Sequence, residues 1–434
     1  MNIGMVQRAI RRHKQMKNRP AYAAFLEHVA SRKDVWKVPQ RDIIAWWQRR
    51  QTAALELAVL SRGTLRVSCS LPDCVVEVDG SELRIPPFET EVPSTLPKGV
   101  VGLSCGCDGL PKELLRELLG HLGYGHMAPG SVGQPVVIHA DQLRPLLGRL
   151  KSEAMELQRF GANEIKALRS LFVRAHHQRG IPDLRLWSLP RNGDRAYRSA
   201  VSARYDVDKA IVNLPAIHEL EAKYDLRSTV YLRPMGFFYG PGEIHRYMRI
   251  TQGQEIALHG EFVTTAETRF GDQFAAAEGE KKYLEDLIGE EVAGVCMHGG
   301  ELRTNTTEQT RDAIEDANFK YETMYRNDYY LPLHLPTESG VRRTLSLGQH
   351  FADITAEPDS RFPEKLAQAF VDCFSQAEVQ GGVFVPVMHP LYFDIPNYLR
   401  YPTNLLHLAA FMPKFFWTAA RMRRGQQYAN PDQP

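Results

Sequence analysis

Asp206, Asp208, His259, His298 and His389 are the residues of this sequence best placed to do chemistry. They lie in four short segments: Tyr205-Asp206-Val207-Asp208, Ala257-Leu258-His259-Gly260, Val295-Cys296-Met297-His298 and Val387-Met388-His389-Pro390. Each closes a run that reads as a β-strand. Two aspartates two positions apart on a strand leave the same face, and they repel unless a cation or a shared proton lies between them. One is then suited to ligate a metal and the other to act as general base for water. On the motif alone, acids that face solvent or cap the helix beginning near Lys209 explain the pair as well. His259 offers a neutral imidazole of the kind zinc accepts. A single histidine at a strand end is more often structural, whereas three in one alternating region read as a site. Pro390 favours an extended exit after His389, at a strand-to-loop transition. Carboxylates and imidazoles at the same ends of successive parallel strands are what a metal-dependent hydrolase in a barrel needs.

The elements that must position these residues begin near Leu186. Candidate strands are Ala200–Asp206, Ser228–Leu232, Glu255–His259, Val292–His298, Tyr321–Tyr325, Thr344–Ile354 and Gly382–His389. Candidate helices are Lys209–Tyr224, Tyr283–Glu290, Thr307–Ala317 and Lys365–Glu378, with Thr307 before Thr310 and Asp312 as a helix start. Strands alternating with helices imply a parallel sheet closed into a barrel, or nearly so. Upstream, residues 1–60 look helical, with apolar residues at helical spacing over Ala21–Ala30 and Asp42–Leu60. From Thr64 to Glu91 the pattern alternates, and Asp79-Gly80 signals a hairpin, so residues 61–95 form a small β unit. Residues 96–185 read as a helical connector or small domain, with helices over Lys112–Leu122 and Leu143–Phe160 around a Gly-rich stretch that lacks phosphate-loop spacing. The barrel is expected over 186–420 and a flexible tail over 421–434.

A chain of 434 residues that is 43% hydrophobic and 24% charged has material for a sizeable core and for two or three domains. Its 53 basic and 51 acidic residues nearly balance, so nothing global points to nucleic acid. The basic first twenty residues lack the apolar core of a secretory signal, and no apolar run is long enough to span a membrane. With six cysteines in so long a chain, free thiols in a reducing compartment and a cytoplasmic location are expected.

Residues 186–400 resemble the polysaccharide deacetylases, carbohydrate esterase family 4, in the branch whose first motif reads Asp-Val-Asp. Arg204-Tyr205-Asp206-Val207-Asp208 resembles that first motif. Gln254 to His259 is similar to the second motif, usually Glu-Ile-Gly-x-His, and Gly294 to His298 to the third, usually Gly-Val-Arg-x-His. Thr310 to Tyr325 is similar to the helix and strand that follow, and Phe384 to Phe393, with Met388-His389-Pro390, to the last motif. The order of these motifs is more specific than any one of them. The resemblance implies an irregular seven-stranded β/α barrel, in an α/β chain preceded here by a helical segment and a small β unit. It implies metal-dependent hydrolysis of an acetamide on a saccharide, with a divalent metal, zinc by preference. Carried over residue by residue, Asp206 is the base and His389 the acid, while Asp208 and His259 are metal ligands. His298 is a further ligand or an oxyanion-side group. The likeness fits a carbohydrate deacetylase of polysaccharide synthesis or modification.

Two departures stand out. The second histidine of motif two, expected four residues after His259, is Val263, for which Glu261 or His298 would have to substitute. The arginine of motif three, which orients a carboxylate, is Cys296. A catalytically degenerate barrel that binds carbohydrate or a partner protein is the alternative these changes leave open.

Ala21 to Arg50, with Phe25-Leu26, Val35-Trp36 and Ile43-Ile44-Ala45-Trp46-Trp47, resembles the tail of the same family, where a helix, a Val-Trp strand and a final helix close the barrel. No first-domain catalytic motif precedes it, so the expectation is either that the sequence starts late in such a domain or that residues 1–60 pack elsewhere, on a homo-oligomer or a partner chain. Cys69-x4-Cys74 and Cys105-x-Cys107 fit no common zinc knuckle and read as ordinary thiols. Leu405 to Arg424 reads as an aromatic-rich closing helix rather than a membrane-surface segment. Trp187, Phe237-Phe238-Tyr239 and Tyr329-Tyr330 could stack on sugar rings.

Overall fold

The computed structural model describes residues 18–53, 55–60, 64–91, 103–107, 113, 115–116, 171–175, 184–236, 239–250, 253–298, 307–323, 330–337, 340–352 and 363–394. The sequence expectations for Leu143–Phe160, Leu405–Arg424 and the tail 421–434 lie outside these residues, as does Lys112–Leu122 apart from Glu113, Leu115 and Arg116. Among the described residues no helix is long and apolar enough to cross a membrane.

A nine-stranded sheet carries the site. Its strands, labelled in chain order, are β1 Arg204–Val207, β2 Thr229–Leu232, β3 Glu255–Gly260, β4 Gly294–Met297, β5 Tyr321–Glu322, β6 Leu333–Thr337, β7 Gly340–Ser346, β8 Phe351–Ala352 and β9 Pro386–Met388. They lie in the order β6-β7-β5-β4-β3-β2-β1-β9-β8. Every pairing is parallel except the β6–β7 hairpin. The count corrects the expected seven. Thr344–Ile354 divides into β7 and β8, and β6 adds an antiparallel edge.

Two other expected strands also divide. Ser199–Val201 and Val383–Phe384 leave the main sheet and pair with each other, and Val35–Lys37 adds to Ser199–Val201 in parallel. The residues that follow them, β1 and β9, pair with each other in the nine-stranded sheet. Each of these two runs therefore serves two sheets in succession.

The helices, again in chain order, are α1 Asn18–Ala30, α2 Gln40–Gln51, α3 Leu214–Ala222, α4 Pro241–Met248, α5 Gln273–Ile288, α6 Glu308–Asp316 and α7 Pro363–Gln380. Local chemistry fixes several ends. Asp272 accepts from the Ala275 amide at 2.8 Å to start α5, and Gly289 closes it in the left-handed region at φ 74°. Thr307 accepts from the Thr310 amide at 3.2 Å at the start of α6, as its position predicts.

Alternation divides the sheet into two faces. Tyr205, Val207, Val230, Leu232, Ile256, Leu258, Val295 and Met297 point outward into one apolar cluster with the helices. Tyr231, Ala257, Cys296, Tyr321, Leu345 and Leu347 point inward into a second cluster, which also takes Val38, Ile43 and Ile44.

Residues 18–51 belong to this body. Phe25 of α1 stacks on Phe370 of α7 with centroids 5.2 Å apart, and meets Phe374 and Phe384 edge-on. The nine-stranded sheet supplies caps for α2: Gln40 N–H donates to Thr229 Oγ1 and Arg41 N–H to Glu255 Oε2, both at 2.8 Å. These bonds satisfy amides that the start of any helix leaves unpaired. The described part of residues 1–60 up to Gln51 thus packs within this chain.

Further small sheets lie among the described residues. Thr64–Cys69 pairs with Leu55–Val59 and Phe88–Glu91, and Val76–Val78 with Glu82–Arg84 and Leu184–Leu186. Asp79 and Gly80 turn the Val76–Val78 hairpin with φ of 51° and 77°, a conformation that a Gly beside an Asp tolerates well. Leu103–Cys107 pairs with Leu171–Ala175. Cys69 and Cys74 are free thiols.

Candidate metal and hydrolytic site

Adjacent parallel strands end together, so inward residues at their C-terminal ends converge. In β1, Arg204 and Asp206 share the inward face, and Asp208 follows at the strand's exit. Pairing of β3 with β4 sets His259 opposite Cys296, and His298 N–H donates to the Gly260 carbonyl at 2.8 Å just beyond.

Asp208 Oδ1 lies 3.1 Å from His259 Nε2 and 3.5 Å from His298 Nε2. The two imidazoles face each other edge-on, 5.3 Å apart at 84°. One donor atom from each of Asp208, His259 and His298 falls within 4.8 Å of the other two, a group that could hold a metal. Two imidazoles and one carboxylate form a donor set that suits zinc or another borderline divalent ion.

A second group, Asp206, His259 and Cys296, meets the same distance criterion but is wholly buried. Arg204 already grips both Asp206 oxygens, Nε to Oδ1 at 2.7 Å and Nη2 to Oδ2 at 2.8 Å. Burial pushes the Cys296 thiol well above its ordinary pKa, so it stays a thiol. The Asp208 group is therefore the better metal site. A ligand on His259 Nε2 puts the ring proton on Nδ1, which faces Cys296 Sγ at 2.9 Å.

The electrostatics keep both aspartates ionised. Burial alone would raise the Asp206 carboxyl, but Arg204, His259 and His389 outweigh it and bring it below its ordinary value. Burial likewise opposes ionisation of Asp208, and the hydrogen bond and charge of His259, with His389 and His298, lower it far more. His298 is pushed down to about 4, first by burial and then by His259, with Arg233 adding and Asp208 opposing. It is thus neutral near pH 7 and keeps a lone pair for a ligand.

His389 enters from the end of β9. It lines a cavity of about 50 Å³ with Asp206, Asp208, Lys209, Ala210, Pro390, Leu391 and Tyr392. The two residues expected to move protons, Asp206 and His389, therefore border one space together with the candidate metal ligand Asp208.

No family model matches this sequence, and no curated protein does. Solved structures do. One assigned as a polysaccharide deacetylase from Mycobacterium smegmatis is 17% identical with a TM-score of 0.36, covering 50% of this chain and 84% of its own. Another, assigned to O-antigen biosynthesis in Bordetella bronchiseptica, is 13% identical with a TM-score of 0.32, covering 49% and 90%. The polysaccharide deacetylase from Bacillus cereus is 11% identical with a TM-score of 0.29, covering 46% and 85%. Identities and TM-scores this low leave the chemistry to be read from the site itself.

Val263, which stands where a second motif-two histidine is expected, lies partly exposed on the short helix Phe262–Thr265. The second imidazole beside Asp208 is His298, from the neighbouring strand. Glu261 is not in the converging group. It pairs with the Arg233 guanidinium, and its Oε1 stands 3.7 Å from His298 Nδ1, where it can orient that ring. Arg233 Nη1 also approaches His298 Nε2 at 3.5 Å.

Arg204, Arg233 and Lys209 are charged groups of the site that the sequence did not single out. Arg204 was legible in principle, since residues two apart on a strand share a face. Arg233 was not, because its partner lies one strand away.

Proposed function

We propose that this protein is a metal-dependent hydrolase that removes acetyl groups from N-acetylated saccharides, as a deacetylase-like barrel of the Asp-Val-Asp branch acting in polysaccharide synthesis or modification. The observation that carries this reading is convergence. Asp208, His259 and His298 come together from the ends of β1, β3 and β4, and Asp206 and His389 border the same small cavity.

Asp208 Oδ1, His259 Nε2 and His298 Nε2 would hold the ion, with zinc favoured by the donor set. A divalent ion bound there supplies Lewis acidity toward water and an acetamide carbonyl. Asp206, ionised and held by Arg204, accepts a proton from the attacking water. Each carboxylate oxygen has two acceptor directions, so the arginine fork still leaves room for that proton. His389, across the cavity, donates a proton to the amine nitrogen as the C–N bond breaks, leaving acetate and a free amine.

A binding-only barrel is favoured by one observation, the engagement of both Asp206 oxygens, which lowers that carboxylate's proton affinity. The two readings separate by experiment. The hydrolase binds one divalent ion per chain and releases acetate from N-acetylglucosamine oligosaccharides. An Asp208→Ala, His259→Ala double variant loses the ion, measured by elemental analysis of purified protein. Full metal occupancy in that variant would sink the ligand assignment. Undiminished glycan binding by Asp206→Asn, with no acetate released by the unaltered protein, would establish the binding-only barrel.

A further inference from the structure

We propose that Arg204 is the positioning residue for Asp206, and that a hydrogen-bond chain ending on Gln40 of α2 holds that arginine in place; the inference rests on the hydrolase reading and deepens it. The sequence leaves Asp206 without the guanidinium expected from the third motif, because Cys296 stands there. The fold brings one from two residues upstream.

Arg204 is 3% exposed and Asp206 6% exposed, so neither charge has water to fall back on. A forked arginine fixes the plane of a carboxylate as well as its position. A lysine, as a single point charge, does not. Arg204 has its own supports. Nη1 donates to the Thr323 carbonyl at 2.5 Å, to Thr323 Oγ1 at 2.9 Å and to Gln349 Oε1 at 3.2 Å. Its guanidinium carbon lies 4.9 Å from the centre of the Tyr231 ring, a cation–π distance.

The chain continues beyond Thr323. Arginine can only donate, so Thr323 Oγ1 accepts from it and sends its own proton to Tyr231 Oη at 3.1 Å. Tyr231 in turn donates to Gln40 Oε1 in a short hydrogen bond. Gln40 is fully buried, and its backbone N–H is anchored on Thr229 Oγ1 at 2.8 Å. Successive donors in one direction reinforce one another in a low-dielectric interior. The chain thus links α2, at the opposite ends of the strands, to the carboxylate that faces the cavity. A segment more than 150 residues away in sequence becomes part of the site's support.

The test uses the full chain loaded with zinc and acetate release from a chitooligosaccharide, on Arg204→Met, Arg204→Lys and Tyr231→Phe, with circular dichroism to confirm folding. Arg204→Met is expected to lose about 10–100-fold in kcat with KM changed less than about threefold, the scale of other residues that orient a reacting group from behind. Arg204→Lys recovers part of that loss, and Tyr231→Phe, which keeps the ring over the guanidinium, loses less than Arg204→Met. A loss confined to KM, or a lysine variant no better than the methionine one, overturns the proposal.

If the unaltered protein releases no acetate from any N-acetyl saccharide, the hydrolase reading fails and thermal melting decides the pairing. Arg204→Met leaves Asp206 as a buried lone charge. The Arg204→Met, Asp206→Asn double variant should then melt above Arg204→Met alone. A double variant whose melting temperature falls by the sum of the two single losses refutes the pairing.

Discussion

Replacing Phe25 by alanine tests whether α1 is part of the same packed body as the nine-stranded sheet. Phe25 is fully buried. Its ring stacks on Phe370 at 5.2 Å and meets Phe384 at 5.6 Å and Phe374 at 6.1 Å, with Tyr22 at 6.3 Å on its own helix. Those neighbours come from α1, α7 and the strand Val383–Phe384, so they cannot all move in to fill the space. A Phe→Ala change in such a site costs about 3–5 kcal/mol, a large share of the roughly 5–15 kcal/mol that stabilises a typical domain. For a domain of this size each kcal/mol shifts the melting temperature by about 2–4 °C, so a fall on the order of 10 °C is expected. Differential scanning calorimetry should show it in the main transition. Exposed Ala24 on the same helix is the control, and Ala24→Ser should shift stability by less than about 0.5 kcal/mol. A main transition unmoved by Phe25→Ala, with the loss confined to a small early transition, would refute the packing of α1 on α7.

Other outcomes can be checked in the same way. A Cβ added at Gly294 would stand 2.1 Å from Tyr321 Cζ and 2.2 Å from its hydroxyl. Tyr321 is fully buried and donates to Glu255 at 2.9 Å, so Gly294→Ala should cost about 1–3 kcal/mol in urea denaturation, and a neutral result would mean the ring yields freely. Burial raises Glu280 to about 7, with the Thr265 hydrogen bond opposing the shift. The folded state therefore favours its neutral form. That contribution is complete below the unfolded value near 4.5 and is lost as pH rises through about 7. Glu280→Gln should flatten the decline in melting temperature across that window, and an unchanged slope would remove Glu280 from the account.

Features set by neighbours in sequence were legible before any tertiary contact was known. The Thr307 cap, the Asp79-Gly80 turn and the strand-end placement of Asp206, His259 and His298 each depend on spacings of one to four residues. The strand count of the main sheet was harder. The runs at 200–206 and 382–389 carry no mark of where one sheet ends and another begins, because both halves of each are buried. The break follows from which strands lie beside them, Val35–Lys37 for one half and β2 for another.

The sequence by itself determined the inventory of the site: paired acids, three imidazoles, and a cysteine and a valine where an arginine and a histidine are expected. Only the tertiary structure decided which residues stand in for them. His298 reaches Asp208 because β3 and β4 pair in a register that sets His259 opposite Cys296. Arg204 reaches Asp206 by the pleat of one strand, but it is held through Thr323, Tyr231 and Gln40, from three other parts of the chain. The same holds for residues 18–51, whose motif sits first in the sequence yet packs where the strands Ser199–Val201 and Val383–Phe384 and the helix α7 come together. Side-chain type is a property of a position in the chain. The distance between two side chains is a property of strand register and burial, which non-local pairing alone establishes.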